Sequence, residues 1–149
     1  MTINDILYRL DHIKNILYKD GNNEISKGLK IKLLNYRIKL SKVEKGLNED
    51  IKEFSEIIIP PELNRLMSKS ERTIEEDLEI QNMNNKIQDE YEEFLIVRGR
   101  EEIDIEDLIL TEEEYQEIAM VNINHDVEIL NNYVSAQDFL ICIHNLFVK

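Results

Sequence analysis

Glycine and cysteine are scarce in this chain, four and one among 149 residues, and its two prolines stand side by side as Pro60 and Pro61. So few glycines leave no glycine-rich loop to cradle a phosphate. The single Cys142 cannot close an internal disulfide, which agrees with a reducing compartment, and no C-x-x-C or paired-histidine spacing exists to hold zinc. Long apolar runs are missing too. None approaches the roughly 18 residues of a membrane-spanning helix, and the opening MTINDILYRLDHIK alternates polar with apolar residues where a secretory signal would carry an apolar block. A soluble, cytoplasmic protein without membrane association is expected.

What the chain has is charge. Hydrophobic residues make up 42% and charged residues 33%, a balance that fits a folded globular chain. At this length a single domain, residues 1–149, is expected, large enough to bury a core without disulfides or a structural metal. The net charge of −13 is unevenly placed: residues 1–69 carry 13 Lys and Arg against 10 Asp and Glu, whereas residues 70–149 carry 5 against 21. The second half therefore stands at −16 and the first at +3. A field of that sign repels phosphate, so direct binding of DNA or RNA is disfavoured.

Periodicity predicts a mainly α fold. Thr2 and Asp5 have capping-box spacing, and Ile3, Ile6, Leu7, Leu10, Ile13 and Leu17 follow at helical intervals, giving a helix over residues 3–18 that Gly21 ends in the left-handed C′ position. A longer helix runs from about Ser26 to Ile58. Its stripe, Leu29, Leu33, Tyr36, Leu40, Val43, Leu47, Ile51, Phe54 and Ile58, advances only in steps of three and four until Pro60-Pro61 stops it. After a connector through Ser70, a third helix is expected from Glu71 to about Leu95, capped by Ser68–Glu71 or Thr73–Glu76. Its Ile80, Met83, Ile87, Tyr91 and Phe94 face the second helix, making residues 26–95 a long antiparallel hairpin. In residues 100–149 we expect a small two-stranded β element, Ile103, Ile105 and Leu108–Leu110 pairing with Val127–Leu130. A short helix begins at Thr111–Glu114, and a last one, capped by Ser135 and Asp138, docks Phe139, Leu140, Ile143, Leu146 and Phe147 on the hairpin.

Two acidic spellings invite a metal. Glu75-Glu76-x-x-Glu79 and, 22 residues beyond Glu79, Glu101-x-x-Asp104 read EExxE and ExxD. They look like the Mg²⁺ site of the all-α nucleotide pyrophosphohydrolases, and carboxylates suit a hard cation that binds substrate phosphates. Acids are 21 of the last 80 residues, however, so such spacings arise readily on a solvated face, and Glu101–Asp104 enters an alternating Ile-Asp-Ile segment. His12, His125, His144 and Cys142 complete the ligand inventory. Cys142 and His144 point to different sides of one helix, no Glu-x-x-His pair exists, and Cys142 reads as a small buried hydrophobe. No catalytic residue, metal or cofactor is expected. Lys27, Lys30, Lys32, Arg37, Lys39, Lys42 and Lys45 read as the exposed positions of an amphipathic helix, able to pair with acids of a neighbour or a partner. Tyr8, Tyr18, Tyr36, Tyr91, Tyr115 and Tyr133 read as half-buried packing residues.

The succession KGLKIKLLNYRIKLSKVEKGLNEDIKEFSE, IQDEYEEFL, EIDIEDLIL and AQDFLICIHNLF, over residues 26–147, resembles small prophage-encoded helical proteins of uncharacterised function, built as a basic-to-acidic hairpin with a short β segment. The resemblance implies a phage setting and no catalytic residues. With the charge asymmetry, it leads to the expectation of a non-enzymatic interaction protein: an acidic, anti-CRISPR-like inhibitor that occupies a basic nucleic-acid-binding surface of a host defence protein, such as an RNA-guided nuclease. Glu75, Glu76, Glu79, Asp89, Glu90, Glu92 and Glu93 are expected to be exposed and to meet that partner. The alternatives are a virion assembly protein, such as a connector or tail-assembly chaperone, and a Mg²⁺-dependent pyrophosphohydrolase. Oligomeric state is left open.

Overall fold

Threonine opens three of the helices in the same way. In the computed structural model, which describes residues 1–18, 24–121 and 123–149 in full and the backbone of 19 and 20, Thr2 Oγ1 accepts from the Asp5 N–H while the Asp5 carboxylate accepts from the Thr2 N–H. Thr73 with Glu76 and Thr111 with Glu114 repeat the exchange, and each satisfies two backbone donors that a helix start leaves unpaired. The helices are α1 (Ile3–Lys14), α2 (Lys27–Ile58), α3 (Pro61–Met67), α4 (Ile74–Gly99), α5 (Glu112–Ala119) and α6 (Ala136–Phe147), with strands β1 (Val127–Ile129) and β2 (Asn132–Val134). The fold is mainly α, with a long helix pair, a small antiparallel sheet and a C-terminal helix. None of the helices among the described residues is long and apolar enough to cross a membrane. Gly21, expected to end the first helix, lies outside the described residues.

The chain forms two compact units, Met1–Glu44 with Glu102–Lys149, and Lys45–Glu101. The first holds the larger core. Ile6, Leu10 and Ile13 of α1 pack with Leu29, Leu33, Tyr36 and Leu40 of α2 and with Phe139, Ile143 and Phe147 of α6. Past Lys14 the helix widens into a π-helical stretch, Asn15–Asp20. There the buried Asn15 amide donates to the Asp11 carbonyl at 2.9 Å and to the Glu128 carbonyl at 3.1 Å, tying the helix to β1.

Three expectations need correction. The stretch Ile103–Leu110 does not pair with Val127–Leu130: β1 pairs with β2 instead, Val127 opposite Val134 and Ile129 opposite Asn132. A two-residue turn makes that pairing local, since Leu130 and Asn131 both have positive φ, 48° and 66°, the backbone of a type I′ hairpin. Residues 102–110 form no helix or strand and are tied to the two chain ends by isolated bridges, Thr2 with Glu102 and Leu110 with Val148. Ile103 N–H donates to the Met1 carbonyl at 2.8 Å and Leu110 N–H to the Phe147 carbonyl at 2.7 Å. Second, the connector after Pro60 contains α3, because a proline that ends one helix is well suited to the first position of the next. Third, the long acidic helix starts at Ile74, capped by Thr73, and continues to Gly99, beyond Leu95, so Ser68 caps the end of α3 and not the start of α4.

In the second unit, α4 has two neighbours. Its first half packs Ile80 on Leu63 and Leu66 of α3. Its second half runs antiparallel to α2: Phe54 stacks on Phe94 and Asp50 pairs with Arg98, so four steps forward on one helix are four steps back on the other.

Candidate functional site

Helix α4 carries the seven acids singled out above. At about 100° per residue, Glu75, Glu79, Asp89 and Glu93 fall within about 40° of one line along the helix. The apolar Ile80, Met83, Ile87 and Phe94 occupy another face. Glu75, Glu79, Asp89, Glu92 and Glu93 are exposed, and Glu76 and Glu90 are partly covered. They do not form one continuous strip. Residues 80–88 hold no acid and one base, Lys86, so two patches stand about 15 Å apart along the axis.

The patches differ in neutralisation. In the first, Glu76 is committed to the Thr73 cap and an ion pair with Lys69, whose hydrogen bond holds its carboxyl below the ordinary range, and Asp77 pairs with Arg72 at 2.8 Å. In the second, Glu90 lies 4.0 Å from Lys86 and Glu92 accepts from the Gln88 amide at 2.9 Å, while Asp89 and Glu93 have no ion pair among the described residues. The second patch keeps most of its charge.

Beside that patch lies a groove of about 360 Å³, lined by Phe54, Glu90, Glu93, Phe94 and Val97. The Phe54 and Phe94 rings stack 4.2 Å apart at 7°. Both remain only half-buried and Val97 is 63% exposed, because two helices alone cannot enclose an aromatic pair. An apolar floor rimmed by two carboxylates suits a long cationic side chain: the stem lies on the rings and the head group meets the acids. Sequence reasoning placed Phe54 and Phe94 in apolar stripes and expected them to be spent on packing.

Glu79 and Glu101 are separated by about 30 Å of α4, and Glu101 pairs with Arg98, so the EExxE and ExxD acids do not converge. Among the described residues no group of three or more His, Cys, Asp or Glu could hold a metal ion. Cys142, half-buried, receives a hydrogen bond from the Tyr8 hydroxyl at 3.6 Å. His144 turns to Glu112 and Tyr115. His12 is buried against Tyr8 and Phe139, and His125 sits ahead of β1. Of the α2 bases, Lys32 pairs with Glu114 at 2.7 Å. No family model, curated protein or solved structure matches the chain.

Proposed function

We propose that this is a non-catalytic interaction protein whose second acidic patch, Asp89, Glu90, Glu92 and Glu93, engages a basic surface of a partner protein, a surface that otherwise grips nucleic acid. The observation that carries this reading is the juxtaposition of unneutralised carboxylates with the Phe54–Phe94 groove, which offers arginine or lysine side chains both charge and an apolar bed. Carboxylates on an α-helix can stand in for phosphates electrostatically, and steering between opposite fields raises the association rate. The prophage resemblance points to the cytoplasm of an infected cell and to a defence protein, such as an RNA-guided nuclease, as the partner class. A role in virion assembly is the second reading. It is favoured by the exposed Ile57, Ile74 and Val97, side chains that a permanent assembly would cover.

The test uses a labelled arginine-rich peptide and, in parallel, nucleic-acid-binding proteins retained from host lysate. Binding should weaken steeply with salt, and excess RNA should release the retained proteins. Charge reversal of Asp89, Glu90 and Glu93 to Lys should abolish both interactions while the helix content stays unchanged. Retention that survives salt, RNA and charge reversal would defeat the reading in favour of apolar assembly.

A further inference from the structure

Helix α2 has a second apolar stripe, on the side opposite its buried one. Ile31, Leu34 and Ile38 are 49%, 38% and 40% exposed, whereas Leu29, Leu33, Tyr36 and Leu40 fill the core across the helix. Lys27, Lys39 and Lys42 edge this outer stripe, all exposed and without ion pairs among the described residues. Covering such a second stripe would remove apolar surface from water. The lysine border selects an acidic cover.

The chain itself carries a segment of that description. At the start of α4, Ile74 is 88% and Leu78 55% exposed, and Glu75 and Glu79 beside them are exposed and have no ion pair among the described residues. This segment is short of apolar contact and rich in free carboxylate, while the outer face of α2 is short of apolar contact and rich in free ammonium. We infer that a second copy of this chain is the occupant: residues 74–79 of one copy lie along Lys27–Lys42 of another, Ile74 and Leu78 covering Ile31, Leu34 and Ile38, with Glu75 and Glu79 among the lysines. Two chains at −13 repel each other overall, which favours docking through faces of opposite local sign. The inference does not rest on the partner-binding reading, since it uses neither the Phe54–Phe94 groove nor Asp89–Glu93.

Sedimentation of the full chain over a range of micromolar concentrations tests it, with circular dichroism as the check of folding. The wild type should self-associate. Reversing Lys27, Lys39 and Lys42 to Glu, or Glu75 and Glu79 to Lys, should each weaken self-association at least about tenfold. An equimolar mixture of the two reversed variants should associate again, because the acidic α2 of one then meets the basic α4 of the other. A strictly monomeric wild type, whose stripes would then serve a different protein, overturns the inference. So does association that both reversals leave intact, or reversed variants that fold but do not associate when mixed.

Discussion

Arg9 and Asp107, 98 positions apart in the chain, meet through two nitrogen–oxygen contacts of 3.3 Å. The same carboxylate accepts a 2.6 Å hydrogen bond from the Tyr36 hydroxyl and one of 2.9 Å from the Leu108 N–H. Asp107 thus ties the irregular stretch before α5 to both α1 and α2, and its charge is the hub.

Burial alone would raise the Asp107 pKa, but the bonds from Tyr36 and Leu108 and the nearby Arg9 outweigh it and hold the carboxyl below 3.8. A folded-state pKa below the unfolded one gives stability that is complete above about pH 4 and is lost as pH falls through the folded value. Asp107→Asn should therefore destabilise by about 1–3 kcal/mol near neutrality, leaving Arg9 without its counter-charge. It should also flatten the acid limb of the stability curve. Urea melts across the acid range check both; an unchanged acid limb would show that other carboxylates govern it.

His12 provides a second pH dependence, at higher pH. It is 1% exposed, its Nδ1 lies 2.8 Å from the Tyr8 carbonyl, and its ring stacks on Phe139. Burial lowers its pKa from 6.5, against smaller opposing effects of the Tyr8 carbonyl and Asp11. The unfolded chain then takes the proton first, so stability should be full above about pH 6.5 and decline as pH falls toward the folded value. His12→Phe keeps the ring and removes the proton site. The decline below about pH 6.5 should shrink in that variant, measured by thermal melts at matched ionic strength.

The helical parts of this fold are written locally, in capping pairs such as Thr73–Glu76 and in the i, i+3, i+4 stripe of α2, and these were legible. Val127–Ile129 was legible as a strand, but its partner was not. The turn at Leu130-Asn131 puts leucine in a left-handed conformation that it disfavours, so tertiary contacts override the local signal there. One such contact is the Leu130 N–H bond to the Asp11 carboxylate at 2.8 Å. For the site, the exposure of Glu75, Glu79, Asp89, Glu92 and Glu93 followed from amphipathicity, whereas Glu76 and Glu90 are partly covered. Which acids stay unneutralised did not follow, because Lys69 and Arg72 come from outside the helix. Helical periodicity likewise marks Phe54 and Phe94 as apolar without saying how much cover two helices provide.

Two substitutions should stabilise the protein. Leu130→Asn relieves a leucine at φ 48° that is 46% exposed, and should gain about 0.5–1 kcal/mol. Gly46 lies inside α2, and a Cβ there would meet nothing within 4 Å, so Gly46→Ala should gain about 1 kcal/mol through helix propensity. The sites belong to different units, and the gains should add. A fall in melting temperature for either variant would mean that the native residue makes a contact not visible in its surroundings.

The Phe54–Phe94 stack braces the helix pair and also floors the groove, and two substitutions at Phe94 separate these roles. Phe94→Ala removes both the brace and the floor. Because the ring is only half-buried, it should destabilise by about 2 kcal/mol, below the roughly 3–5 of a fully buried phenylalanine. Phe94→Leu keeps most of the apolar volume and loses the ring face, so stability should drop by less than about 1.5 kcal/mol. If cationic side chains lie on the ring, Phe94→Leu should nevertheless weaken binding of the arginine-rich peptide several-fold, the loss expected when a cation–π contact of about 0.5–1 kcal/mol disappears. Glu93→Lys should weaken it without moving the melting temperature, since Glu93 is exposed and has no ion pair among the described residues. The Phe94→Leu/Glu93→Lys double variant should lose less than the sum of the two, because ring and carboxylate would hold the same side chain. Additive losses would place cation and ring in separate contacts, and a Phe94→Leu protein that binds as the wild type does would leave the acids as the whole of the recognition surface.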